Sequence, residues 1–237
     1  MHLVPGVVAT TALGVAQATR SHCGPFDALA PLDERGHQRP WALSCLEFNQ
    51  SVLDYLATAD SVEYVVLASL FEQYLGGVDR TRMFNLQRME GGQLLEVRAS
   101  VPLALERLGI TVSRLRAMGK KVVVVTPPPS SGFNIGQCLE LQASGKVYLG
   151  ADENSCRISR AAYHRHQALI RRFLATLTNV AAVNVVGFDD ALCSAQVCET
   201  ELSGVFLYGD AGHLTIEGSL RLAAQMGLVH RLLAAAK

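Results

Sequence analysis

The 237-residue chain is long enough to bury a full core without help from metals or disulfides, and nothing in its composition marks a boundary between domains. Hydrophobic residues make up 49% and charged residues 18%, with 21 basic against 21 acidic side chains and a formal net charge of +0. With no basic stripe and no run of like charge, nucleic acid and anionic membrane surfaces are excluded as leading partners.

The opening "MHLVPGVVATTALGVAQAT" is uncharged and ends in an Ala-x-Ala-like "AQA", as a secretory signal does. Against that stand the lack of Lys or Arg at its start, and Pro5 and Gly6 inside the apolar run. The alternative is a first amphipathic helix followed by a short strand in "LGVAQATRSHC". "FNQSVLDYLATA" places Phe48, Val52, Leu53 and Leu56 on one helical face. It leads into "SVEYVVLASLF", an apolar β-branched run expected as a central strand.

The segment from Gln93 to Gly119 reads as a long helix with Pro102 early and a terminating glycine. Val122 to Val125 form the clearest strand, stopped by the three prolines Pro127 to Pro129. The stretch from Pro127 to about Arg157 is long for a compact domain, so it is either functional or carries small elements of its own. A helix over "SRAAYHRHQALIRRFLATLTN", a strand in "VAAVNVVGF" and a short strand in "GVFLY" follow. Thr215 is a plausible N-cap for a final helix, with Glu217 in its first turn. This alternation of strand and helix is the pattern of a parallel sheet covered by helices.

Six cysteines fall as three local couples: Cys23 with Cys45, Cys138 with Cys156, and Cys193 with Cys198. They permit more pairings than sequence can rank. An even count in loop-like surroundings suits an oxidising compartment, with six separate buried thiols as the alternative. No C-x-x-C and no histidine at ligand spacing points to zinc, so neither metal nor cofactor is expected.

The chemistry concentrates in "FLYGDAGHLTIEGS". A serine hydroxyl needs a base within hydrogen-bond reach, and a histidine serves as one when a carboxylate fixes its tautomer through Nδ1–H. Asp210, three residues before His213 on a turn entering a helix, can fold back onto the ring in that way. The plainer alternative is a glycine-rich surface turn with an Asx bond and a solvated histidine.

The pattern Y-x-D-x-x-H-L-T-x-x-G-S, after a strand and before the last helix, resembles block five of the SGNH (GDSL-like) hydrolases. More closely, it resembles the extracytoplasmic SGNH domain fused to acyltransferase-three-type membrane O-acyltransferases. "SHCGPF", "SCLEFNQSVLDYL", "VEYVVLAS" and "VVVVTPPPSSGFNIGQCL" extend the resemblance over nearly the whole chain. It implies a single SGNH-like domain over residues 1–237, an α/β flavodoxin-like three-layer sandwich with a parallel sheet, and a Ser-His-Asp mechanism using Asp210 and His213. It further implies acyl transfer or ester hydrolysis on a surface glycan in the periplasm, beside an integral-membrane acyltransferase domain, a location that the cysteines fit.

The family nucleophile stands in a Gly-Asp-Ser-His motif at the end of the first strand, and no such motif occurs in this chain. "MHLVPGVVATTAL" matches the helix that follows it, so the serine and the first strand are expected to lie before Met1, the chain being a fragment. Ser21, Ser69 and Ser130 could substitute but read better as loop or cap serines. For an oxyanion site the resemblance offers Gly24; no G-x-N-D follows the third strand, which leaves Ser69 or Asn49 as replacements. His164 and His166 read as a solvated helix face and Trp41 as a loop residue, while His2 and His22 could line the cleft. The competing readings are a glycan-binding or interaction module that kept the scaffold, and a disulfide-held periplasmic structural partner.

Overall fold

In the computed structural model, residues 4–32, 38–76, 85–146 and 156–236 are described. The elements run α1 (Val4–Thr10), β1 (Leu29–Leu32), α2 (Arg39–Thr58), β2 (Tyr64–Ala68), α3 (Glu72–Leu75), β3 (Asn85–Glu90) and β4 (Gln93–Arg98). Then come α4 (Val101–Ala117), β5 (Lys121–Val125), α5 (Ile135–Ala143), β6 (Ile158–Ser159), α6 (Arg160–His166), α7 (Ala168–Val180) and β7 (Asn184–Val186). The chain closes with α8 (Asp189–Leu192), β8 (Val197–Cys198), β9 (Glu201–Leu202), β10 (Val205–Phe206), α9 (Ile216–Met226) and α10 (Leu228–Ala235).

These elements gather into two compact units, one of Met1–Gln17, Thr126–Ala168 and Val186–Ala234, the other of Ala18–Val125, Leu169–Val185 and Ala235–Lys237. The second unit holds the main core. β2 and β5 pair in parallel, Tyr64 opposite Lys121 through Ala68 opposite Val125, in a sheet of order β2-β5-β7. Val122 to Val125 are all fully buried, as an uninterrupted valine run in a strand covered on both faces must be. Around it pack Leu108, Val112 and Leu115 of α4, Phe173, Leu174 and Leu177 of α7, and the ring cluster of Phe26, Phe71 and Tyr74. The rings of Phe26 and Tyr74 stack with centroids 3.9 Å apart.

Several expectations are corrected here. The strand after Glu63 is not central: within the described residues β2 lies at one edge of its sheet and β5 is in the middle, and Val66 is 43% exposed. No strand forms in residues 13–23, most of which are exposed and so offer no apolar face to bury. The segment from Gln93 to Gly119 is not all helix. Its first part is β4, the second arm of a hairpin with β3, Asn85 opposite Arg98 through Glu90 opposite Gln93.

Gly91 (φ 55°) and Gly92 (φ 79°) make that turn, with the two successive positive φ values that tight hairpins favour. Helix α4 then starts only at Val101, where Ser100 Oγ accepts from the Leu103 N–H. Trp41 lies within α2, not in a loop, because that helix begins at Arg39 with proline in its first turn. The Arg20 guanidinium sits 5.8 Å over the Trp41 ring.

The other unit carries short strands and helices. The expected helix over residues 159–179 is two, α6 and α7, and the final helix is broken by Gly227 at φ 59° into α9 and α10. The segment after Pro127 carries α5, capped by Asn134, whose Oδ1 accepts from the Gln137 N–H at 3.1 Å. His164 is only partly solvated, since its Nε2 is buried. Helix α1 docks on α9: Ser219 Oγ accepts from the Gly6 N–H at 3.3 Å, and a Cβ on Gly6 would meet the Ser219 carbonyl at 2.5 Å.

The structure closes three disulfides, Cys23–Cys45, Cys138–Cys156 and Cys193–Cys198, the same local couples that the sequence suggests. No helix among the described residues is long and apolar enough to cross a membrane.

Candidate active site

Asp210 and His213 meet as the local spacing requires. His213 Nδ1 lies 2.7 Å from Asp210 Oδ2. The other carboxylate oxygen, Oδ1, accepts from the Gly212 N–H at 2.8 Å and the His213 N–H at 2.7 Å. Three donors therefore hold one carboxylate, two from the backbone of the turn and one from the ring. With Oδ2 unprotonated, the short contact assigns the proton to His213 Nδ1, which leaves Nε2 as the basic nitrogen of the neutral ring.

Partial burial raises the pKa of the Asp210 carboxyl, but the N–H groups of Gly212 and His213 and then the His213 ring outweigh it. The net position is below the ordinary 3.8. The side chains remain 43% (His213) and 48% (Asp210) exposed, so the pair is open to solvent.

The turn is built by its neighbours in sequence. The Gly209 N–H donates to the His213 carbonyl at 2.9 Å, and Tyr208 and Leu214 form a β-bridge, closing residues 209–213 into a loop with a rigid neck. Thr215 then caps α9: its Oγ1 accepts from the Gly218 N–H and donates to the Phe206 carbonyl, each at 2.8 Å. Gly218 sits so close to Leu207 that a Cβ would lie 2.6 Å from its Cα. This explains the small residue in the first turn of α9.

One tether was not legible beforehand. The Tyr208 hydroxyl, fully buried, donates to the Pro129 carbonyl at 2.8 Å, while Gln167 Nε2 donates to the Pro128 carbonyl at 2.8 Å. The proline run after β5 is thus pinned in the same unit as the pair. The tyrosine of the sequence pattern was the only signal for it.

The residues named for an oxyanion site, Gly24, Asn49 and Ser69, lie in the second unit, where the first two share one network. The Gly24 N–H donates to the buried Tyr74 hydroxyl at 2.7 Å. Asn49 Nδ2 donates to the Gly24 carbonyl at 2.9 Å, and the Cys23–Cys45 disulfide adjoins them in sequence. Burial holds the Tyr74 phenol far above its ordinary pKa, so it stays neutral and its oxygen can accept. The backbone donor expected of Gly24 is therefore engaged inside the fold. Ser69 Oγ accepts from the Phe71 N–H at 3.2 Å, a local turn bond. Among the described residues no group of His, Cys, Asp and Glu is arranged to hold a metal ion.

The family model of the SGNH domain (fused to AT3 domains) matches residues 1–227, nearly the whole chain and parts of both units. The chain belongs to the SGNH domain family. No curated protein is a significant match to it. Among solved structures, this SGNH domain is similar to the Salmonella ser. Paratyphi A lipopolysaccharide acetyltransferase periplasmic domain. The TM-score is 0.66 at 15% identity, covering 95% of this chain and 77% of that one. That likeness, with the parallel sheet β2-β5-β7 and its helices, establishes the α/β SGNH-hydrolase-like fold.

Proposed function

We propose that this SGNH domain takes part in moving acyl groups, acetyl by analogy with its structural neighbour, onto or off hydroxyls of a surface glycan. The observation that carries the reading is the 2.7 Å contact between His213 Nδ1 and an Asp210 carboxylate whose other oxygen is already held by two backbone N–H groups.

In this reading Asp210 fixes the ring with Nδ1 protonated. Nε2 takes the proton of a serine hydroxyl as its oxygen attacks the acyl carbonyl. Asp210 stabilises the imidazolium that forms, and Nε2–H then gives its proton to the departing alkoxide. The acyl-serine is resolved in a second round: Nε2 accepts the proton of the incoming hydroxyl as its oxygen attacks the acyl carbonyl, the bond to the serine oxygen breaks, and Nε2–H returns the proton to that oxygen. A sugar hydroxyl gives transfer and water gives hydrolysis.

These 237 residues contain no Gly-Asp-Ser motif, so in this reading the serine is supplied by sequence outside them. The family's association with AT3 domains supports a membrane acyltransferase domain of the same protein as the acyl source, with the SGNH domain on the periplasmic side. The engagement of the Gly24 N–H by the Tyr74 hydroxyl, which takes the expected oxyanion donor, favours a second reading, a catalytically silent glycan-binding or interaction module on the same scaffold.

Two measurements separate these readings. One is the genomic frame upstream of Met1: Gly-Asp-Ser codons there support the transferase, and a stop codon in their place supports the binding module. The other is His213→Ala in protein that carries the serine. Loss of acetyl-ester turnover with the fold retained is expected, and wild-type turnover would sink the assignment.

A further inference from the structure

The carboxylate side of Asp210 is held by its own turn, but its main chain is held by another element. Helix α5 abuts the loop at Gly209 and Asp210. The Gly136 N–H, one of the donors that a helix's first turn leaves without an intrahelical partner, donates to the Asp210 carbonyl at 3.2 Å. A Cβ built on Gly136 would lie 2.7 Å from the Asp210 backbone nitrogen and closer still to the Gly209 carbonyl. Only a residue without a Cβ lets α5 come this near.

The helix itself is anchored. Asn134 caps it, Ile135, Cys138 and Leu139 are buried, and Cys138 is joined to Cys156. The loop between Gly209 and His213 cannot yield on its far side without breaking the Gly209 N–H to His213 carbonyl bond.

We propose that Gly136 is a positioning residue for the Asp210–His213 pair: it sets where the Asp210 backbone stands, and through the carboxylate it sets the angle of the His213 ring. The proposal deepens the functional reading above and rests on it for any effect on turnover. A methyl at position 136 must push the Gly209–Asp210 peptide by about 1 Å to restore ordinary contact, a misplacement that in active sites costs about 10²-fold in rate. Opening the disulfide acts in the same direction without adding an atom at the contact, because α5 loses its covalent tie.

The test compares Gly136→Ala with wild type in the 237-residue chain, by NMR of the His213 Nδ1–H proton and its exchange with solvent. The expected result is a folded protein in which this proton exchanges at least about tenfold faster. In protein that carries the serine, kcat should fall about 10²-fold with KM little changed. Gly109→Ala, where a Cβ meets nothing within 4 Å, should leave both readouts at wild-type values.

Wild-type Nδ1–H exchange in folded Gly136→Ala overturns the proposal. So does a fall in stability with the exchange unchanged, since that is what a purely structural glycine would show. If Gly136→Ala does not fold, Cys138→Ser with Cys156→Ser answers the same question: faster Nδ1–H exchange supports the proposal and unchanged exchange overturns it. Asp210→Asn keeps the two ideas apart. Full turnover in Asp210→Asn defeats the functional reading, while the exchange of Gly136→Ala still decides whether α5 positions the pair.

Discussion

Tyr74→Phe removes one oxygen from the interior and leaves everything else in place. The ring stays stacked on Phe26 at 3.9 Å, and the volume hardly changes. What is lost is the acceptor of the Gly24 N–H, a buried bond of 2.7 Å. Gly24 is buried against the Tyr74 and Phe26 rings, so its N–H is left without contact with bulk solvent.

An orphaned buried N–H costs about 1–3 kcal/mol, part of which is offset because the variant no longer desolvates a hydroxyl. We expect a net loss of about 1–2 kcal/mol, read as a lower urea midpoint with an unchanged slope. For a chain of this length that corresponds to a drop of about 2–8 °C in Tm. Hydrogen exchange at the Gly24 amide should accelerate by at least about tenfold in oxidised protein, while the amides of β5 keep their protection. An unchanged midpoint together with an unchanged Gly24 amide would refute the reasoning, because the N–H would then have another acceptor.

The remaining predictions concern the pair and the packing around it. In Asp210→Asn the side chain can still accept from Gly212 and His213 N–H through Oδ1 but offers an N–H₂ to the ring. Nitrogen-15 shifts should therefore show His213 protonated at Nε2, and in protein that carries the serine kcat should fall about 10³–10⁴-fold. The Asp210 carboxyl titrates below its ordinary 3.8 in the folded state, so its contribution is complete above that value and disappears as pH falls through the lower, folded value. Urea midpoints of wild type and Asp210→Asn should thus differ by a constant, small amount from neutral pH down to about pH 4 and converge below. Gly6→Ala should lift α1 from α9, measured as faster proteolysis near the N-terminus with the β5 amides unaffected. Phe173→Ala, at a fully buried ring among Phe26 and Phe71, should cost about 3–5 kcal/mol in urea unfolding.

Local pattern was enough for whatever depends on neighbours in sequence. The Val122–Val125 run was legible as a buried strand because it is short, wholly β-branched and stopped at once by three prolines. The Asp210–His213 contact and the Thr215 cap span three residues each, so neighbours in sequence suffice to bring the partners within reach. The cysteine couples lay close enough along the chain for proximity to suggest their partners.

Periodicity misled where long-range pairing overrode it. "QLLEVR" has helix-compatible spacing, yet the Gly91–Gly92 turn delivers it to β3, and the ladder hydrogen bonds decide its state. Likewise β2 reads as a central strand from its apolar content, but strand order is a property of the sheet, and β5 takes the middle. The engagement of the Gly24 N–H by Tyr74, fifty positions away, and the seating of Gly136 on the Asp210 backbone were equally invisible. Both depend on backbone-to-partner distances of a few ångströms between remote segments. Residue identity announces only that a glycine is present; the tertiary structure decides what it is close to.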